Sequence, residues 1–177
     1  MEESEITTAA YCVRVLRDYA IPSRKTEFKE RIGRARTWML SAHPRHTYER
    51  AELLMGLKWA GASQEQLAPV AKALADEQRA DGGWAQRSTL ASDAYGTGLA
   101  MRALRESGQP GMEAAYRRGT KFLLQTQMDD GSWYVRSRGM KLQPFFQSGF
   151  PYDHDQWISY TATALATAAL IGSLDSH

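Results

Sequence analysis

At 177 residues the chain has the length of one domain and can bury a real core. Hydrophobic residues at 43% and charged residues at 24% make an ordinary soluble globular balance. The net charge is only +2, and its 22 Lys and Arg are spread along the chain, which argues against a nucleic-acid or polyphosphate partner.

The first twenty residues carry Glu2, Glu3 and Glu5 where a secretory signal has a basic start and an apolar run, so no signal peptide is expected and the cytoplasm is the default compartment. Cys12 is the single cysteine, which excludes an internal disulfide; its apolar flanks Tyr11 and Val13 suggest a core thiol. Residues 5–20 begin with Ile6, Ala9, Ala10 and Val13, the start of a helix apolar on most sides. Residues 24–42 place Phe28, Ile32, Ala35 and Met39 at i, i+4, i+7 and i+11 with Lys and Arg opposite, the pattern of a helix with one face in water. The basic group Arg31, Arg34 and Arg36 then reads as a solvated helix face. Residues 47–61 open at Thr47, a capping residue, and end at Gly61. Residues 63–78 are amphipathic through Leu67, Val70 or Ala71, Leu74 and Gln78.

Residues 92–108 open on Ser92-Asp93, an N-cap pair, are small or apolar almost all round, and stop at Gly108 with Pro110 beyond. Residues 111–127 are amphipathic again through Ala115, Gly119, Phe122 and Thr126. An aromatic-rich loop follows over 134–155, and 156–172 is apolar or small on every side. The stretch from Gln156 to Leu174 has no charge over 19 residues, but its serines, threonines and alanines fit a buried helix better than a membrane span. Helices apolar all round must be covered all round. The alternation therefore predicts an all-α fold in two layers, four inner helices alternating with three outer ones, as a single repeat domain over 1–177.

The repeat is visible by counting. The outer helix over 63–78 ends as Ala73-Leu74-x-x-x-Gln78-x-x-x-Gly82-Gly83-Trp84, and 49 residues later comes Phe122-Leu123-x-x-x-Gln127-x-x-x-Gly131-Ser132-Trp133. A worn copy, Arg34-Ala35-x-x-Trp38-Met39, has His43 where Gln would stand. The Gln amide is expected to donate to the last carbonyls of its helix, Gly to reverse the chain, and Trp to lie over the helix end. These residues read as structural staples.

Arg118-Gly119-x-x-Phe122-Leu123-x-x-x-Gln127-x-x-x-Gly131-x-Trp133 resembles a full QW motif of squalene–hopene cyclases and related terpene cyclases, and 69–84 matches its second half. The wider group holds prenyltransferase β subunits and complement-type thioester domains, all α/α toroids. Bacterial prenyltransferase/squalene-oxidase-repeat proteins resemble the segments 92–98 and 149–159 most. The resemblance covers roughly 24–172 and implies about half of a ring of six or seven hairpins. A partial toroid starting and ending on inner helices would expose apolar faces at both ends, as in a C-terminal half lacking its N-terminal half, a self-associating chain, or an open arc.

The same resemblance implies where chemistry would sit. Class II terpene cyclases protonate an alkene with an Asp of an Asp-x-Asp-Asp motif, without metal or organic cofactor. The nearest match is Asp153-His154-Asp155-Gln156, where Asp155 would be the donor with His154 assisting, although Gln156 replaces the final Asp. Asp155 is otherwise the N-cap of the last helix, and Asp93 has the same two readings one repeat earlier. No zinc site is expected: Asp93-x-Tyr95 lacks the Cys of the prenyltransferase pattern, and His43, His46, His154 and His177 have no ligand spacing. A hydrophobic isoprenoid-type ligand would meet Tyr95, Trp157, Tyr160, Phe145, Phe146 and Phe150. The 134–155 loop is either a wall of that cavity or a lid packed for stability, and peripheral membrane contact is a further expectation from the cyclases. The rival function is a non-catalytic α/α-toroid scaffold that binds a protein partner.

Overall fold

A computed structural model describes residues 4–139 and 146–174. It is all-helical: α1 Glu5–Asp18, α2 Lys25–Leu40, α3 Thr47–Trp59, α4 Gln64–Asp76, α5 Ala94–Ser107, α6 Glu113–Thr126 and α7 Gln156–Leu174, with 3-10 turns at Pro22–Arg24 and Asp153–Asp155. Among the described residues there is no strand, only one isolated bridge between Trp84 and Asp93. The residues group into two compact units, Met1–Glu77 with Ala103–Met112, and Gln78–Arg102 with Glu113–His177.

In the first unit α3 is buried nearly all round, from Ala51 through Leu57 and at Trp59, as the sequence predicts for an inner helix. Its Gly56 is required by packing: a Cβ there would lie 2.7 Å from the Ala10 Cβ of α1 and 2.9 Å from the Met39 sulfur of α2. The α3 cap is His46 rather than Thr47, because the buried Glu49 carboxylate reaches back to the amides of Arg45 (2.7 Å) and His46 (3.2 Å). Ser63 and Gln66 cap α4 reciprocally, each side chain accepting from the other's backbone amide. Its buried face is Leu67, Ala71 and Leu74, as the periodicity requires.

In the second unit α6 buries Ala115, Gly119, Phe122 and Leu123. Gly98 of α5 sits against the backbone of α7, where a Cβ would be 2.7 Å from the Leu165 carbonyl carbon and 2.8 Å from the Ala166 nitrogen.

Two expectations change. α1 and α7, read from their apolar composition as covered all round, are buried on one face only: α1 through Ile6, Ala10 and Val13, and α7 through Gln156, Ser159, Ala162, Ala166 and Ala169. Tyr11 and Val15 on α1, and Trp157, Tyr160 and Ile171 on α7, are exposed. Cys12 is exposed and no core thiol, because the i, i+4, i+7 face of α1 runs through Ile6, Ala10 and Val13 and leaves it outside. Among the described residues no helix is long and apolar enough to cross a membrane.

The glycines give a direct check on packing. Gly56→Ala and Gly98→Ala each force a methyl into occupied space and are expected to destabilise by about 1–3 kcal/mol. Gly33, within α2, has nothing within 4 Å of a built Cβ, so Gly33→Ala should stabilise by about 0.5–1 kcal/mol. Urea unfolding midpoints of the three variants measure the contrast.

Candidate functional site

The candidate residues hang on the two Gln-Gly-Trp turns, which are built alike. Gly82 (φ 87°) and Gly131 (φ 83°) take the left-handed conformation that reverses the chain. The Gly83 amide donates to Asp81 and the Ser132 amide to Asp130, both at 2.9 Å. The glutamine amides, expected to donate to their helix's own last carbonyls, donate forward across the turn instead. Gln78 reaches the Gly82 carbonyl at 2.8 Å and Gln127 the Gly131 carbonyl at 2.9 Å. Gln78 also donates to the Ala115 carbonyl of α6 at 2.7 Å and accepts from Arg118, so it ties this turn to α6. The Trp133 indole answers the helix instead, donating to the Leu123 carbonyl at 2.9 Å. Trp84 and Trp133 are buried, 0% and 2% exposed.

Burying each tryptophan buries its backbone amide, and a threonine hydroxyl receives it. The Trp84 amide donates to Thr97 Oγ1 at 2.9 Å and the Trp133 amide to Thr163 Oγ1 at 3.0 Å. After Trp133 the pattern continues along α7. Val135 donates to Ser159 Oγ at 3.0 Å and accepts from it at 3.1 Å, and the Ser137 amide donates to Asp155 Oδ1 at 2.8 Å. Every second residue of an extended segment thus meets every fourth residue of a helix. The spacings agree, at about 6.7 Å for two extended residues and about 6 Å for four helical ones.

This register fixes the equivalence of the two copies. Thr97 lies four residues after Asp93, and Thr163 lies four after Ser159. The counterpart of Asp93 is therefore Ser159, and Asp155 stands four residues earlier, just before α7 begins. Asp155 and Asp93 are not the same position in two repeats.

Asp93 caps α5, its Oδ1 accepting from the Gly96 amide at 2.8 Å. Its Oδ2 accepts from the Gln86 amide at 2.8 Å, with the Arg138 guanidinium at 3.9 Å. Burial pushes the Asp93 carboxyl above the ordinary value of 3.8, against the pull of the Gly96 amide, Gln86 and Arg138.

Asp155 closes the 3-10 turn that leads into α7 and is half-buried. Its Oδ2 accepts from the Tyr134 hydroxyl at 2.7 Å while Oδ1 takes the Ser137 amide, so the carboxylate holds the segment before α7. This bond raises the pKa of the exposed Tyr134 hydroxyl. Asp153 and His154 are exposed, and Tyr152 and Asp153 both have positive φ (83° and 44°), a strained entry for side-chain-bearing residues. Gln156 is wholly buried and organises the far side of the loop. Its Oε1 accepts from the Ser148 amide and hydroxyl, both at 2.6 Å, and its Nε2 donates to the Asp153 carbonyl at 2.8 Å.

The described members of the expected ligand set lie in different surroundings. Phe146, Trp157 and Tyr160 are 81%, 49% and 56% exposed, with the Trp157 indole donating to the Phe146 carbonyl at 3.1 Å. Phe150 packs edge-on against Tyr160 (centroids 5.6 Å apart) and Tyr152 (6.3 Å), and Tyr152 against Tyr134 (5.2 Å), so these rings fill space with one another. Tyr95 is half-buried at the first turn of α5, and Phe145 lies outside the described residues. Two open grooves of about 710 and 430 Å³ belong to the first unit, where both are lined by Ser4, Glu5 and Trp38 and by none of the expected site residues. Among the described residues no three His, Cys, Asp or Glu side chains are grouped to hold a metal.

No protein-family model and no curated protein matches this chain.

Two variants separate the roles of the aspartates. Asp155→Ala leaves the Ser137 amide and Tyr134 hydroxyl without an acceptor and should cost about 1–2 kcal/mol, with faster amide exchange confined to 134–138. For Asp93 the folded protein keeps a proton that the unfolded chain has already lost. Stability should therefore fall as pH rises from 3.8 through the raised value, and Asp93→Asn should remove that fall in urea titrations between about pH 3 and 7.

Proposed function

We propose that the chain is a non-catalytic helical-repeat scaffold of the QW-motif type that works by binding a partner. The observation that carries this reading is the use made of Asp155. Alkene protonation needs an acid that carries its proton and points into a dry apolar space. Asp155 instead spends Oδ1 and Oδ2 accepting the Ser137 amide and the Tyr134 hydroxyl, bonds that favour the ionised carboxylate. His154, its expected assistant, is exposed, and so is Asp153.

A second reading is favoured by Asp93. It is a largely buried carboxyl at the start of a buried helix, held toward its protonated form, with a guanidinium 3.9 Å away. On this reading the chain binds an isoprenoid-type ligand and Asp93, rather than Asp155, starts a proton-initiated cyclisation without metal or organic cofactor.

Incubation with squalene and shorter prenyl substrates, followed by mass-spectrometric product analysis, separates the two. The scaffold reading expects no cyclised product from the wild-type protein or from Asp93→Asn. Product from the wild type that disappears in Asp93→Asn would overturn it in favour of the cyclase.

A further inference from the structure

The segment after Trp133 offers one edge to α7 and has a second edge. In an extended chain successive peptide groups point to opposite sides, so the amides and carbonyls of alternate residues share a side. The groups of Trp133, Val135 and Ser137 face the Thr163, Ser159 and Asp155 rail. By that alternation those of Tyr134, Arg136 and Arg138 fall on the other edge, where among the described residues no hydrogen bond reaches their amides or carbonyls. All three residues are exposed. Arg136 has no ion-pair partner among the described residues, while Arg138 has the loose 3.9 Å contact to Asp93.

An extended backbone with one edge satisfied and the other open is the template for strand addition. What distinguishes this edge is that a helix, not a neighbouring strand, holds its inner side. Register is thereby fixed at three points one helical turn apart, and the outer edge is presented without a sheet behind it. Alternation puts Tyr134, Arg136 and Arg138 on one face of the segment, a ring and two cations in a row of about 14 Å. A second copy pairing antiparallel about Arg136 would set arginine against arginine, which is unfavourable. Glutamate or aspartate at alternate positions of an incoming chain would meet these cations instead.

We propose that the outer edge of Tyr134–Arg138 is a docking site for an extended acidic peptide, which adds to it as a strand. The proposal rests on the binding-scaffold reading and names the class of partner. Backbone hydrogen bonds supply the affinity, and Arg136 with Arg138 selects acidic side chains on the facing side.

The test uses a fluorescein-labelled seven-residue peptide of alternating valine and glutamate, titrated with the full chain and followed by anisotropy. Two matched peptides accompany it, one with lysine for glutamate and one with alternate backbone amides methylated. Saturable binding is expected for the acidic peptide, weakened about three- to tenfold for each pairing amide lost to methylation. The lysine peptide should bind more weakly than the acidic one, and the Arg136→Ala/Arg138→Ala double variant should lose most of that preference. This variant keeps the backbone edge, and its circular dichroism reports folding. Equal binding of the methylated and unmethylated peptides would overturn strand addition, and no binding of the acidic peptide to the wild type would overturn the site. Neither result touches the non-catalytic reading, which the prenyl product assay decides.

Discussion

A tryptophan cannot be buried without its own peptide group, and the second unit is organised by where that group finds a partner. Trp133 goes under the end of α6 with its indole on the Leu123 carbonyl, which takes its amide out of water as well. An unmet buried amide costs about 1–3 kcal/mol, enough to decide a register. Thr163 meets it, Thr97 does the same for Trp84, and each threonine thereby sets the height of its helix against the turn before it. The rest follows from that height. Ser159 and Asp155 come to lie opposite Val135 and Ser137, Gly98 lies against the α7 backbone, and Gln156 is left to hold Ser148 and Asp153.

Aspartates at the starts of α5 and α7 look alike in sequence and differ in physics. Asp93 is a cap in a largely dry place, its carboxyl pushed toward the protonated form. Asp155 is a rung, half-buried, accepting from a phenol and an amide. A functional reading that treats them as equivalents overlooks this difference in surroundings.

The helices were legible because burial leaves a 3.6-residue period that needs no distant information, and Leu67, Ala71 and Leu74 face inward as that period requires. The turns were legible because glycine at positive φ and a following tryptophan recur at a spacing of 49. Cys12 misled because its immediate neighbours are apolar, whereas helical burial is decided three and four residues away. Thr47 misled because it has the right side chain for a cap, yet Glu49 reaches the backbone before it and moves the boundary to His46. The partners of Asp155 left almost no mark in the sequence. Its partners lie 18 and 21 residues away in a segment with no periodicity of its own. The one local trace was polar residues at Asp155, Ser159 and Thr163, one per turn on a helix otherwise rich in alanine.

Hydroxyls on α5 and α7 set the register of the chain after each buried tryptophan. Native-state amide exchange on Thr163→Val tests it most directly, since valine keeps the shape and removes only the acceptor. The Trp133 amide should lose protection by about 1–3 kcal/mol of opening free energy, with Val135 and Ser137 following it and α1 to α4 unaffected. Unchanged protection at Trp133 would mean that the hydroxyl rail does not hold the segment.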